Sequence, residues 1–180
     1  GVPFIYYGEE IGMTGVKPDE QIRTPMQWNA TAHAGFTTGQ PWFSVNDDYE
    51  VVNVAALSDK ADSLLNHYRR LIHLRKAHPS LRHGTLTPLI SDCDPVYGFL
   101  RHSEEEAAIV VLNFDDAVRT GCAFSLDAGP LAEGSYDAQE LLRDTEAVGP
   151  EVNEEGGFSS YRPTDPLAPG DGLILELTRP

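Results

Sequence analysis

Arg23 opens the run Arg23-Thr24-Pro25-Met26-Gln27-Trp28, a guanidinium set among small, apolar and aromatic neighbours. A guanidinium offers a rigid fork of donors and keeps its charge, which suits it to hold sugar hydroxyls or a carboxylate. A charged hydrogen bond of that kind contributes about 1.5–3 kcal/mol. The plainer alternative is an ion pair with Glu9, Glu10 or Asp19. Trp28, Phe36, Trp42 and Tyr7 lie close by in sequence and offer flat faces that stack on the apolar C–H surface of a ring. For any single one of them, packing within a loop is the commoner use. Gln27 and His33 could add contacts to hydroxyl groups. Glu9 and Glu10 are adjacent carboxylates, which invites an acid/base reading. At the end of a strand, however, neighbouring side chains point to opposite faces, so the two could not flank one bond. A structural role is expected for both, one turned inward to accept hydrogen bonds and one outward.

The elements that would position these groups follow from periodicity. Val2, Phe4, Ile5, Tyr6 and Tyr7 form a nearly unbroken apolar run closed by Gly8-Glu9-Glu10. That pattern fits a strand buried on both faces, which needs a neighbour on each edge to pair its backbone. Residues 14–20 are polar turn formers and read as a loop; residues 29–46 read as a longer ordered loop with aromatic anchors. Asn53 is expected to cap a short helix through Leu57, and Ser58 or Asp59 to cap the main helix. Leu64, Leu65, Tyr68, Leu71, Ile72 and Arg75 give that helix one stripe. Asp59 and Asp62 in its first turn and Arg75 and Lys76 in its last suit the helix dipole, and Pro79 stops it. From Leu81 the period shortens. Residues 84–89, 96–102, 107–114, 120–126, 135–142 and 173–177 read as strands of an antiparallel sandwich, with 149–172 as a loop wrapping an edge.

Gly1-Val2-Pro3-Phe4-Ile5-Tyr6-Tyr7-Gly8-Glu9-Glu10-Ile11-Gly12-Met13, then Arg23–Trp28 and Ala34-Gly35-Phe36, resemble the eighth barrel strand and following loop of the α-amylase superfamily of glycoside hydrolases. The likeness is greatest to its α-glucosidase and oligo-1,6-glucosidase branch. The resemblance implies the last βα unit of a TIM (β/α)8 barrel over residues 1–79. An all-β antiparallel (Greek-key) sandwich domain would follow over 80–180, a lid or buttress for the barrel. It implies the C-terminal part of a retaining glycoside hydrolase acting on α-linked gluco-oligosaccharides. In that family the nucleophilic aspartate, the acid/base glutamate and a third aspartate stand on barrel strands four, five and seven, all before Gly1. No catalytic residue is therefore expected among these 180 residues, and the chain alone should be inert. By resemblance Arg23 binds the non-reducing-end glucose, Gln27, Trp28 and Phe36 join it as substrate-binding residues, and Glu9 and Glu10 are structural at the barrel mouth. The loop before Arg23 is shorter than in oligo-1,6-glucosidases, which argues against that linkage preference. Glucosyl transfer of the trehalose synthase kind stays open. So do a non-catalytic carbohydrate-binding or structural sandwich module and an inert scaffold for a protein partner.

Composition narrows the partners. With 28 acidic and 13 basic residues the net charge is -15, which argues against nucleic acid, whose binding rests on Lys and Arg neutralising phosphates. No apolar run approaches the ~20 residues that cross a bilayer. An oligosaccharide bound through the barrel is the partner expected. Cys93 and Cys122 are too few for a disulfide framework or a four-cysteine zinc site; two buried thiols are preferred to a single bridge. The histidines lack metal spacing, and no cofactor is expected. Asp92-Cys93-Asp94 and Asp115-Asp116 read as acidic turns; calcium is possible there, but neither matches an EF-hand.

Overall fold

A computed structural model describes residues 2–180; Gly1, the first residue of the opening motif, lies outside the described residues. The chain divides into two compact units, residues 1–72 and 73–180.

In the first unit the expected strand does not form. Residues 2–6 carry no regular secondary structure and pair with no strand among the described residues, and Val2 and Phe4 are 94% and 85% exposed. The physical reason is the one that made the strand demanding: a ladder needs partners, and none of the described residues supplies one. Glu9–Ile11 is a 3-10 turn rather than a strand end, so the opposite-face argument for Glu9 and Glu10 falls with the strand. A one-turn helix α1 (Asp19–Ile22) interrupts the loop before Arg23. Helix α2 (Val54–Ser58) starts where expected, with the Asn53 side chain accepting from Ala56 N at 2.8 Å. The main helix, α3 (Leu64–Ala77), starts later than expected. Its cap is Ser63, whose Oγ accepts from Asn66 N at 3.2 Å, so Asp59 and Asp62 lie outside its first turn. Ser58 and Asp59 instead end α2. Of the apolar stripe, Leu65 packs with Ile11 and Met26 in a small core, while Leu64, Leu71 and Ile72 stay exposed. Arg75 and Lys76 close the helix as expected, and Pro79 begins a new short helix, α4 (Pro79–His83).

The second unit holds nine strands, all antiparallel where paired: β1 (Thr85–Pro88), β2 (Ile90–Ser91), β3 (Val96–His102), β4 (Ala107–Asn113), β5 (Phe124–Leu126), β6 (Gly134–Glu140), β7 (Thr145–Val152), β8 (Phe158–Tyr161) and β9 (Gly172–Thr178). Six form one sheet in the order β1-β3-β4-β9-β6-β7, and β2-β5-β8 form the other. The last strand thus returns between β4 and β6, a crossing connection of the Greek-key kind. Rows of facing residues run across the large sheet's inner side: Gly98–Val111–Leu173, Leu100–Ile109–Leu175 and Ala107–Leu177–Ala138. Phe124, Leu126, Phe158 and Tyr161 of the small sheet join the same core. Phe124 lies against Gly98, where an added Cβ would stand 2.6 Å from the ring, so this close approach requires glycine.

β7 runs into, and β8 lies within, residues 149–172, where loop was expected. β7 forms the edge of the large sheet and carries Gly149 and Pro150, which read as breakers. The β6–β7 register slips between Ser135 and Asp137, and Pro150 is accommodated opposite that bulge at an edge. β8 is short and follows directly on Gly156-Gly157, whose composition reads as loop. Cys93 and Cys122 form a disulfide, with Cα atoms 5.4 Å apart, in place of the thiols expected. Pairing of Ser91 with Phe124 across β2 and β5 brings the two together. Asp92 is not a free acidic turn: its Oδ1 accepts from Ala123 N at 2.7 Å beside this bridge.

Tyr161 donates its hydroxyl to Val148 O at 2.9 Å, and burial pushes its pKa well above the ordinary 10.0. A group whose folded pKa is raised contributes stability that is full below its unfolded value and is lost as pH rises past it. Unfolding free energy should therefore fall above pH ~10 more steeply in the native chain than in Tyr161→Phe. Parallel alkaline profiles in urea titrations would reject that assignment.

Candidate functional site

The site grows from two tight turns in the first unit. Gly8 (φ 90) and Gly12 (φ 73) bracket the Glu9–Ile11 turn, and Met13 N donates back to Gly8 O at 2.9 Å. Both glutamates serve this turn. Glu9 Oε2 accepts from Tyr6 N at 3.2 Å, and Glu10 Oε2 from Gly8 N at 2.9 Å. Together they fix the Tyr6–Tyr7 backbone. Tyr7 then donates its hydroxyl to Thr24 O at 3.0 Å, tying the opening segment to the Arg23–Trp28 run. Desolvation, with Tyr6 nearby, raises the Tyr7 pKa, and the Arg23 charge opposes that shift.

The second turn is at His33 and Ala34, both left-handed at φ 56 without being glycine. Such residues cost of order 1–3 kcal/mol each and gather at ligand clamps and active sites. Ala34 O accepts from Trp28 N (2.9 Å) and Asn29 N (3.1 Å), which folds Phe36 back alongside Trp28. Within the run itself Thr24, Pro25, Met26 and Gln27 are buried, leaving Arg23 and Trp28 to emerge at either end.

What emerges is one groove of about 550 Å³. Tyr6, Tyr7, Trp28, Phe36 and Trp42 wall it, with Glu10 and Arg23 as its charged lining groups. The structure thus brings Arg23, Trp28 and Phe36 to one surface. Gln27 is not on that surface: it is wholly buried, and its Nε2 donates to Asp48 Oδ1 and Val52 O. Its Oε1 has no partner among the described residues. Gln27 therefore braces the loop beneath the groove. His33 stays in its turn and does not line the groove. Glu9 remains in the turn, whereas Glu10 both holds the turn and faces the groove. Tyr7 and Trp42, candidates for stacking by residue type, join that wall, and Tyr6, for which the apolar run 2–7 was the only sequence signal, completes it.

Arg23 pairs with Asp19 at 3.2 Å, four residues back, with both side chains more than half exposed. An exposed pair of that kind is worth about 0.2–1 kcal/mol. The guanidinium can therefore exchange Asp19 for a ligand at little cost, and the ion pair orients it at the groove edge meanwhile.

Residues 1–84 match the family model of the α-amylase catalytic domain. The chain is 34% identical to the oligo-1,6-glucosidase of Halalkalibacterium halodurans, over 90% of this chain and 33% of that enzyme. It is 31% identical to the trehalose-6-phosphate hydrolase of Bacillus subtilis, over 100% of this chain and 36% of the relative. Among solved structures, the trehalulose synthase of Pseudomonas mesoacidophila superposes with a TM-score of 0.69 at 26% identity, covering 99% of this chain and 36% of that one. The chain spans about a third of the length of these relatives. These neighbours are α-amylase-family (β/α)8-barrel proteins, and this chain's fold is the end of such a barrel with the antiparallel sandwich that follows, its opening run 2–7 pairing with no strand among the described residues. By these matches the chain belongs to the α-amylase superfamily of glycoside hydrolases, among relatives of the α-glucosidase type.

Proposed function

We infer that these residues form the C-terminal part of a longer retaining α-glycosidase and hold a glucosyl unit of an α-linked gluco-oligosaccharide in the groove. The observation that carries this reading is the convergence of Arg23 with Trp28, Phe36 and Trp42 on one surface. An aromatic face receives the apolar side of a sugar ring, and the guanidinium fork takes its hydroxyls. Such a contact raises turnover where it tightens on the distorted ring of the transition state. Residues 1–79 supply the barrel end of this arrangement, and 80–180 the appended sandwich.

The chemistry itself lies elsewhere in the enzyme. A retaining glycosidase needs two carboxyl groups ~5–5.5 Å apart across the scissile bond. The groove is lined by one carboxylate, Glu10, and that one is engaged with Gly8 N. The isolated chain should therefore leave an aryl α-glucoside unhydrolysed, and measurable turnover by it would refute this reading. In the full-length enzyme, Arg23→Ala should lower kcat/KM by about 1.5–3 kcal/mol, or roughly 10- to 150-fold. Arg23→Lys should restore only part of it, because an ammonium lacks the planar fork. Asp19→Ala should be nearly silent. An Arg23→Ala enzyme with unchanged kcat/KM would remove Arg23 from the binding set.

Glucosyl transfer is the second reading within the family. The likeness to a trehalulose synthase favours keeping it. The ratio of transfer to hydrolysis products at high sugar concentration separates the two.

A further inference from the structure

In the second unit His78, Glu106 and Glu176, none of which lines the groove, converge. His78 Nδ1 lies 2.7 Å from Glu106 Oε1 and 3.6 Å from Glu176 Oε1, and the three donor atoms fall within 4.8 Å of one another. We propose that these three side chains form a binding site for a divalent first-row transition ion of the zinc class.

The sheet register builds the carboxylate pair. Glu106 immediately precedes β4, and Glu176 lies on β9 facing Ala108, two residues further along β4. Residues 106 and 108 share a face, so the two glutamates are diagonal neighbours across the β4–β9 ladder. Ala108, fully buried and small, leaves the space over which they meet. His78 is delivered from the other side. It is held extended at ψ 110 ahead of Pro79, which begins α4, and its Nδ1 is the nitrogen turned to both acids.

Charge and geometry both favour a cation here. No Lys or Arg pairs with Glu106 or Glu176 among the described residues. The nearby Arg101 donates to Ser80 O (3.1 Å) and Leu81 O (3.3 Å), and Arg75 to Leu81 O and Arg82 O. Two carboxylates whose side chains are only 10% and 30% exposed thus face one imidazole. Around a tetrahedral zinc ion, with ligand bonds of ~2.0–2.2 Å, neighbouring donors stand about 3.3 Å apart. The distances from Nδ1 to the two acids bracket that value. Ser80, fully buried, donates its hydroxyl to Glu106 Oε1 at 3.0 Å, the outer-shell bond that orients ligating carboxylates. One imidazole with two carboxylates suits zinc and its neighbours better than magnesium or calcium, which prefer all-oxygen shells. Three protein ligands leave a fourth position to water, so a modest, exchangeable affinity is expected.

Calorimetric titration of the 180-residue chain with zinc chloride at neutral pH tests this. The expected result is a single saturable equivalent, not displaced by equal concentrations of magnesium or calcium. His78→Ala and Glu176→Gln should each weaken it by roughly tenfold or more, while His83→Ala, an exposed histidine in the same unit, leaves it unchanged. Zinc should also raise the Tm of the native chain but not that of Glu176→Gln. Circular dichroism establishes that each variant is folded before titration. Absence of saturable binding, equal affinity in folded His78→Ala and Glu176→Gln, or displacement by calcium would each overturn the site.

Discussion

Phe124→Ala should lower the unfolding free energy of the sandwich by about 3–5 kcal/mol, read as a fall in urea midpoint without a change in slope. The ring is fully buried and belongs to the small sheet, while the surface it meets, Gly98, belongs to the large one. It is therefore a direct junction between the sheets, and truncation leaves a void that neither backbone can close. Against a typical total of about 5–15 kcal/mol, that loss is severe. The companion substitution separates contact from volume. Gly98→Ala places a Cβ 2.6 Å from the ring and should cost ~1–3 kcal/mol by overpacking. In the Phe124→Ala background the same methyl enters a vacated space, so its cost should shrink or change sign. Additive costs in that double-mutant cycle would mean the ring and the glycine are not coupled.

The same pair shows what the sequence does and does not disclose. Alternation over 96–102 marks β3 correctly to both ends, because one face of that strand is core and the other is not. Nothing in the pattern says that Gly98 exists to receive Phe124, since that is a contact between sheets. The misread elements fail for a shared reason. The run at 2–7 has the composition of a buried strand, yet a strand is defined by its ladder, and no described residue pairs with it. β7 is the reverse case: Gly149 and Pro150 look like breakers, but an edge with a bulge tolerates both. Ahead of α3 the sequence pointed to Ser58 or Asp59 as the cap, and only the hydrogen bond from Asn66 N identifies Ser63. At the groove, residue type was informative for Arg23, Trp28 and Phe36, whose chemistry suits exposure. It misled for Gln27, because an amide serves equally well as a ligand contact or as a buried brace. The backbone around it decided.

Replacing both cysteines, Cys93→Ser with Cys122→Ser, should destabilise the chain by about 3.6 kcal/mol, the loop-closure value for a separation of 29 residues. The larger part of this acts on the unfolded chain, which regains the freedom that the bridge removes. The double variant alone does not prove it, because Cys122 is almost fully buried and a serine hydroxyl there adds its own desolvation cost. Reducing the native protein changes no side-chain volume and isolates the constraint. The reduced chain should lose a similar amount, and its denaturant slope should rise, since an unbridged unfolded state exposes more surface. Equal midpoints for oxidised and reduced protein would show that the β2–β5 pairing and Asp92 hold this corner unaided. The bridge would then contribute nothing to the sandwich beyond what its hydrogen bonds already supply.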